Sequence, residues 1–110
     1  KEYAEDEDAF SKKIYDVIGA GVGIIESVPA AVSIAYYTQD PNKCCLMCAN
    51  LGGDTDTIGA MATAICGAFV GYSKINPEYT ELLRVQNPET DFEEYINILE
   101  KGRELLGCGR

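Results

Sequence analysis

From Thr57 to Ser73 the chain carries no charged side chain, and small or apolar residues fill nearly the whole stretch. Ile58, Met61, Ile65, Phe69 and Val70 supply bulk. Gly59, Thr63, Gly67 and Gly71 form one small-residue ridge, and Ala60, Ala64 and Ala68 a second. Their spacing predicts a helix from about Thr55 to Gly71. A helix apolar on every side is expected to be buried on every side, in a large core or in lipid. The run is shorter than the ~20 residues a membrane span needs, and Asp54 and Asp56 lie at its mouth, so lipid is set aside. Judged by helix diameter, surrounding it takes about five or six neighbours. The remaining chain offers roughly four other helices, at least two of them amphipathic. Part of the core is therefore expected from elsewhere: an N-terminal region absent from this chain, a second chain, or a homo-oligomer.

The 110 residues bound the chain to one domain at most, and it begins at Lys1 with no initiator Met or leader ahead of it. A fragment or a processed chain is the expectation. Nine basic against 18 acidic residues give a net charge of −9, a poor electrostatic match for nucleic acid or an anionic membrane. Histidine is absent, so proton transfer or metal binding must use carboxylates, hydroxyls, thiols or backbone. The cysteines are Cys44, Cys45, Cys48, Cys66 and Cys108. Their odd number, apolar neighbours and missing leader favour free thiols in a reducing, cytoplasmic setting. Cys45-Leu-Met-Cys48 fits C-x-x-C, yet it lacks the second pair or histidine of a zinc site and the preceding strand of a redox motif. Buried structural cysteines are the preferred reading.

The charge lies at the two ends of the chain. Between Val17 and Gly53 only Glu26, Asp40 and Lys43 are charged. The acidic run from Glu2 to Asp8 reads either as the exposed end of a break or as a solvated helix start. Phe10, Ile14, Val17 and Ile18 recur at helical spacing and predict a surface helix ending at Gly19-Ala-Gly21. Gly19, Gly21 and Gly23 then allow a turn where backbone can approach something closely, or equally a plain helix cap. In Glu26-Ser-Val-Pro29 the proline suits the first turn of a helix, with Ala31, Val32, Ala35 and Tyr36 on one face. Glu26 is read first as an acid complementing the helix dipole. Asp40-Pro41 and Asn76-Pro77 each read as a cap followed by the first helical residue. Thr90-Asp-Phe-Glu93 has capping-box spacing and leads into the stripe Phe92, Tyr95, Ile96 and Leu99. No strand pattern alternates. The class is all-α, with about five helices.

Two carboxylates and a hydroxyl fall within four residues at Asp54, Asp56 and Thr57, after the paired glycines Gly52 and Gly53. Hard oxygen donors of this kind suit Mg²⁺, Mn²⁺ or Ca²⁺. A cation there would oppose the positive end of a helix dipole, so both carboxylates must be ionised and further acids supplied. Free backbone N–H groups at the same end could meet phosphate. An EF-hand loop starting at Asp54 would need oxygen donors where Ile58 and Ile65 stand, so that reading fails. A phosphatase nucleophile should follow a buried apolar strand, which Cys48-Ala-Asn-Leu-Gly-Gly is not. The plain alternative is a pair of aspartates capping a helix.

Leu51-Gly-Gly-Asp-Thr-Asp-Thr-Ile58, followed by a small-residue helix ending Gly67-Ala-Phe-Val-Gly71, resembles the C-terminal metal motif of the ADP-ribosylglycohydrolase family. That family includes the dinitrogenase reductase-activating glycohydrolases. Gly19-Ala-Gly21 and Glu26-Ser-Val-Pro-Ala30 also resemble the segment preceding the motif, and lean toward the branch that removes ADP-ribose from serine and cleaves O-acetyl-ADP-ribose. The resemblance covers about residues 18–72. It implies an all-α fold around two Mg²⁺ ions, with Mn²⁺ as a substitute, and Asp54, Asp56 and Thr57 as metal ligands. Gly21 and Val22 would line the ADP-ribose pocket. The whole chain, residues 1–110, would be the C-terminal part of one such domain. Its other metal ligands, phosphate-binding loop and catalytic acid lie in an N-terminal part, carried on the same protein or a second chain. No catalytic residue beyond the metal ligands is expected here. The implied reaction is hydrolysis of the bond between ADP-ribose and a protein side chain or acyl group, with ADP-ribosylated protein or O-acyl-ADP-ribose as substrate. The alternative is a non-catalytic member that binds ADP-ribose or serves structurally, as the jellyfish crystallins resembling this family do.

Overall fold

The computed structural model describes residues 7–107; the acidic residues from Glu2 to Asp6 and Cys108 lie outside them. Among the described residues every regular element is helical. The helices are α1 (Glu7–Lys13), α2 (Ile24–Thr38), α3 (Pro41–Leu51), α4 (Thr55–Val70), α5 (Pro77–Gln86) and α6 (Phe92–Leu105). A π turn, Ile14–Ile18, extends α1, and a 3-10 turn, Tyr72–Lys74, follows α4. The all-α expectation holds, with six helices rather than about five. Two compact units divide the chain, Lys1–Ile75 and Asn76–Arg110.

In the first unit α2, α3 and α4 pack around a core built from Ile34, Met47, Leu51, Ile58 and the small residues between them. Local signals fix the starts of these helices where expected. The Asp40 side chain accepts from Asn42 N at 2.9 Å, with Pro41 as the first helical residue. Asn42 Nδ2 then reaches Lys74 O at 2.8 Å and ties the start of α3 to the 3-10 turn. The α1 segment is fastened by Phe10, whose ring stacks on Tyr37 at 4.1 Å, and by the Lys43–Glu7 ion pair. Glu7 accordingly holds the Lys43 ammonium above its ordinary pKa.

Two expectations for α2 are corrected. The helix begins at Ile24 on the cap Gly23, so Pro29 lies inside it rather than in its first turn. Its buried face is Ser27, Ala30, Ala31, Ile34 and Ala35, while Val32 and Tyr36 are exposed. On the first helix Ile14 is buried, Phe10 and Ile18 pack against the core, and Val17 is exposed. The widened turn causes this: Gly19 N bonds Ile14 O at 3.0 Å, a five-residue step that shifts the periodicity off 3.6.

The central helix runs Thr55–Val70, close to expectation, but within this chain it is buried along one line only, Ile58, Ala62 and Cys66. Ile65 and the 70%-exposed Phe69 open onto solvent. With Val32, Ala35 and Tyr36 of α2 they line an apolar cavity of about 330 Å³. Burial on every side is thus not met by the described residues, as the neighbour count anticipated.

In the second unit Asn76 caps α5 by accepting from Glu78 N at 3.0 Å. Asp91, rather than the expected Thr90, caps α6 by accepting from Glu94 N at 3.0 Å. Arg84 and Glu93 bridge the two helices at 2.7 Å. Tyr95 and Leu99 of the expected stripe are exposed, as are Leu82 and Leu83 of α5.

Candidate metal centre

The segment joining α3 to α4 is shaped by two glycines in succession. Gly52 and Gly53 have φ of +86° and +73°, a region that side chains disfavour and glycine adopts freely. At Gly53 the requirement is doubled, because a Cβ there would overlap the Ala20 carbonyl oxygen. That contact exists because the next residue is tied down: Asp54 N donates to Ala20 O at 2.7 Å. The Gly19–Gly23 turn and the start of α4 are thereby held together by a backbone hydrogen bond.

Asp54 occupies the N-cap position of α4, yet its side chain makes no capping hydrogen bond. Its backbone carbonyl accepts from Ile58 N at 3.1 Å instead. The plain capping reading therefore fails for Asp54. Its carboxyl faces Asp56, whose pKa is held below the ordinary aspartate value by the hydrogen bond from Asp54, and then by those from the backbone N–H groups of Thr57 and Asp56. Asp54 is half-buried, while Asp56 and Thr57 are exposed on the first turn of the helix. The two carboxyls converge on one another while the Thr57 hydroxyl stands one residue away. As a donor set this suits a hard cation. Among the described residues no group of three or more His, Cys, Asp or Glu side chains is placed to hold a metal ion. These residues therefore supply only part of any coordination shell.

Sequence reasoning missed how the glycine turn is organised. Glu26 sits in the first turn of α2, as its dipole role requires. It also curls back so that Gly21 N donates to Glu26 Oε2 at 2.7 Å. A Cβ at Gly19 would lie 2.6 Å from the Glu26 carboxyl carbon, and one at Gly21 would collide with Oε2. The alternation of glycines around Ala20, followed by an isolated acid, was the signal for this arrangement. Gly19, at φ +96°, also closes the preceding π turn. Val22, 83% exposed, stands on the outside of the same turn. Gly21 and Val22 are thus within two residues of the Ala20 carbonyl that anchors Asp54. The structure brings the expected pocket residues and the acidic cluster to neighbouring loops.

The family model for ADP-ribosylglycohydrolase matches residues 1–106. The chain belongs to the ADP-ribosylglycohydrolase family. It is 49% identical over 102 residues to the uncharacterized protein YegU of Escherichia coli K12, covering 92% of this chain and 30% of that protein. It is 35% identical to the ADP-ribosylhydrolase ARH3 of Xenopus tropicalis, over 68% of this chain and 25% of the relative. With the ADP-ribosylarginine hydrolase Tri1 of Serratia proteamaculans it shares 30% identity, over 76% of this chain and 26% of that one. The chain thus spans less than a third of the length of these relatives. No solved structure matches it. Among the described residues no helix is long and apolar enough to cross a membrane.

Proposed function

We propose that this chain contributes the C-terminal share of a metal-dependent ADP-ribosyl hydrolase centre, with Asp54, Asp56 and Thr57 as cation ligands. The observation that carries the reading is the Asp54 carboxyl left out of helix capping. It stands at a helix start, makes no cap, and meets Asp56 on the open first turn. A divalent cation between the two carboxyls would take the place of the proton they share and let both ionise. Family membership supports the reaction class, and the names of ARH3 and Tri1 support an ADP-ribosylated substrate.

Bound Mg²⁺, or Mn²⁺ in its place, would supply Lewis acidity and orient ribose hydroxyls and water at the anomeric carbon. The work of this chain's own residues is positional. Asp54 and Asp56 hold charge at the mouth of α4, and the Ala20–Asp54 hydrogen bond sets how far that mouth lies from the Gly21–Val22 turn. Glu26 keeps the turn folded, so Gly21 can offer bare backbone and Val22 an apolar surface to a sugar or base. Further ligands and a catalytic acid come from an N-terminal part of the same domain, whose helices cover the open faces of α2 and α4. The exposed Phe69 and the apolar cavity beside it support that assignment.

The test is Mn²⁺ titration and hydrolysis of ADP-ribosylated peptides by the complete protein, with Asp54→Asn and Asp56→Asn compared to the parent. Weaker Mn²⁺ binding and lower turnover are expected, with unchanged helix content because the Asp54 side chain makes no capping hydrogen bond and Asp56 is exposed. Full activity of both variants at saturating Mg²⁺ would overturn the ligand assignment.

A further inference from the structure

The Gly19–Gly23 turn spends its backbone polar groups within the chain. Gly19 N donates to Ile14 O at 3.0 Å, and Ala20 O accepts from Asp54 N at 2.7 Å. Gly23 O accepts from Glu26 N and Ser27 N, each at 2.9 Å. Gly21 N donates to Glu26 Oε2 at 2.7 Å. A backbone N–H in a glycine-rich turn is an ordinary receptor for anions such as phosphate. Here the chain supplies the anion itself. Glu26 is the third residue of α2, and helical side chains tilt toward the N-terminus, so its carboxylate comes back over the turn. It rests against both flanking glycines, since a Cβ at Gly19 or Gly21 would overlap it. An acid that only complemented the helix dipole would need neither contact. Val22 on the outside of the turn, and Ile24 and Ile25 just after it, are exposed hydrocarbon.

We propose that Glu26 is a positioning residue of the hydrolase centre, a built-in anion that fixes the Gly21–Val22 turn for an uncharged part of the substrate and closes it to phosphate. The proposal rests on the hydrolase reading above. Glu26 acts through Gly21 and touches no reacting atom. With the Gly21 N–H taken, the turn presents carbon rather than a charge receptor. The diphosphate of an ADP-ribosyl group is then held elsewhere, and the turn meets sugar or base. What the turn requires of residue 26 is an acceptor oxygen at the right reach. Glutamine keeps that acceptor at full length without the charge, while aspartate keeps the charge and falls one methylene short.

The test is hydrolysis of an ADP-ribosylated peptide by the complete protein at saturating Mg²⁺, with Mn²⁺ affinity measured alongside. The parent is compared with Glu26→Gln, Glu26→Asp and Glu26→Ala. Glu26→Gln should keep the parental KM. Glu26→Asp and Glu26→Ala should raise KM about tenfold, the effect of losing one hydrogen bond to a charged group. Their kcat and Mn²⁺ affinity should stay near parental, because the Ala20–Asp54 bond persists and only binding is weakened. Inorganic phosphate should compete with substrate more strongly in Glu26→Ala, whose Gly21 N–H is vacant, than in the parent.

A parental KM in Glu26→Asp, a raised KM in Glu26→Gln, or a fall in kcat at constant KM would overturn the positioning role. Equal competition by phosphate in the parent and Glu26→Ala would overturn the closure. If Glu26→Ala does not fold, Glu26→Gln and Glu26→Asp still decide the role through their opposite effects on KM. All these outcomes leave the hydrolase reading standing. A parent that cleaves no ADP-ribosylated peptide would overturn that reading, and the role of Glu26 with it.

Discussion

The amide of Asp54 and the carbonyl of Ala20 are 2.7 Å apart, and this hydrogen bond fixes the acidic mouth of α4 against the glycine turn before α2. It can form because Gly53 has no side chain to occupy the space in front of the Ala20 oxygen.

Gly53→Ala is expected to be severely disruptive. The φ of +73° alone costs a non-glycine residue of order 1–3 kcal/mol, and the Cβ would strike backbone that cannot swing aside. Chemical denaturation should show the loss, with the Asp54 amide exchanging faster with solvent. A variant with parental stability would mean that the loop has another conformation.

Glu26 separates charge from hydrogen bonding. Glu26→Gln keeps an acceptor for Gly21 N and should leave the turn folded. Glu26→Ala removes it and is expected to cost about 1 kcal/mol. Amide exchange at Gly21 distinguishes them: protection retained in the first, lost in the second.

The core of the first unit is tested by contrast along α4. Ile58, with no exposed surface, should lose about 2–5 kcal/mol on truncation to alanine. Phe69→Ala in this chain alone should change stability by less than about 0.5 kcal/mol, as for an exposed position. In the complete protein Phe69→Ala becomes costly if other helices cover that face. Equal effects in both settings would contradict the proposed N-terminal cover.

Asp56 gives a pH signature. Its pKa is depressed by the Asp54 hydrogen bond and the backbone N–H groups, so it contributes stability above the ordinary aspartate pKa of about 3.9. That contribution is lost as pH falls through the lower folded value. Carboxyl titration by NMR should place the Asp56 midpoint below that of a model peptide, and Asp54→Ala, which removes the donor, should move it back up. A midpoint already at the model value would remove the convergence of the two carboxyls from the argument.

What could be read from sequence was local. Asp40-Pro41 and Asn76-Pro77 announce their helices because a cap and its proline act within a few residues. Leu51 to Ile58 holds in consecutive positions the residues on which the resemblance to the family rests. The exposure of Val32 and Tyr36 was not legible, since periodicity marks an apolar face without saying which neighbours cover it. Pro29 misled because proline favours a first turn, yet here it lies inside α2, where it gives up the bond to the carbonyl four residues earlier. Asp91 displaced Thr90 as the cap, a choice between adjacent residues that spacing alone does not make. The Ala20–Asp54 bond joins backbone atoms far apart in the chain, and no side-chain pattern encodes it.

The open apolar faces of α2 and α4 make the chain, taken alone, a colloid held apart by charge. Tyr36 and Phe69 offer surface on which two copies can adhere, while a net charge of −9 repels them over a Debye length of about 10 Å at 0.1 M salt. Added salt shortens that range and leaves the adhesive surface intact. Light scattering of the isolated chain should therefore rise with ionic strength, and its solubility should fall as acid neutralises the carboxylates.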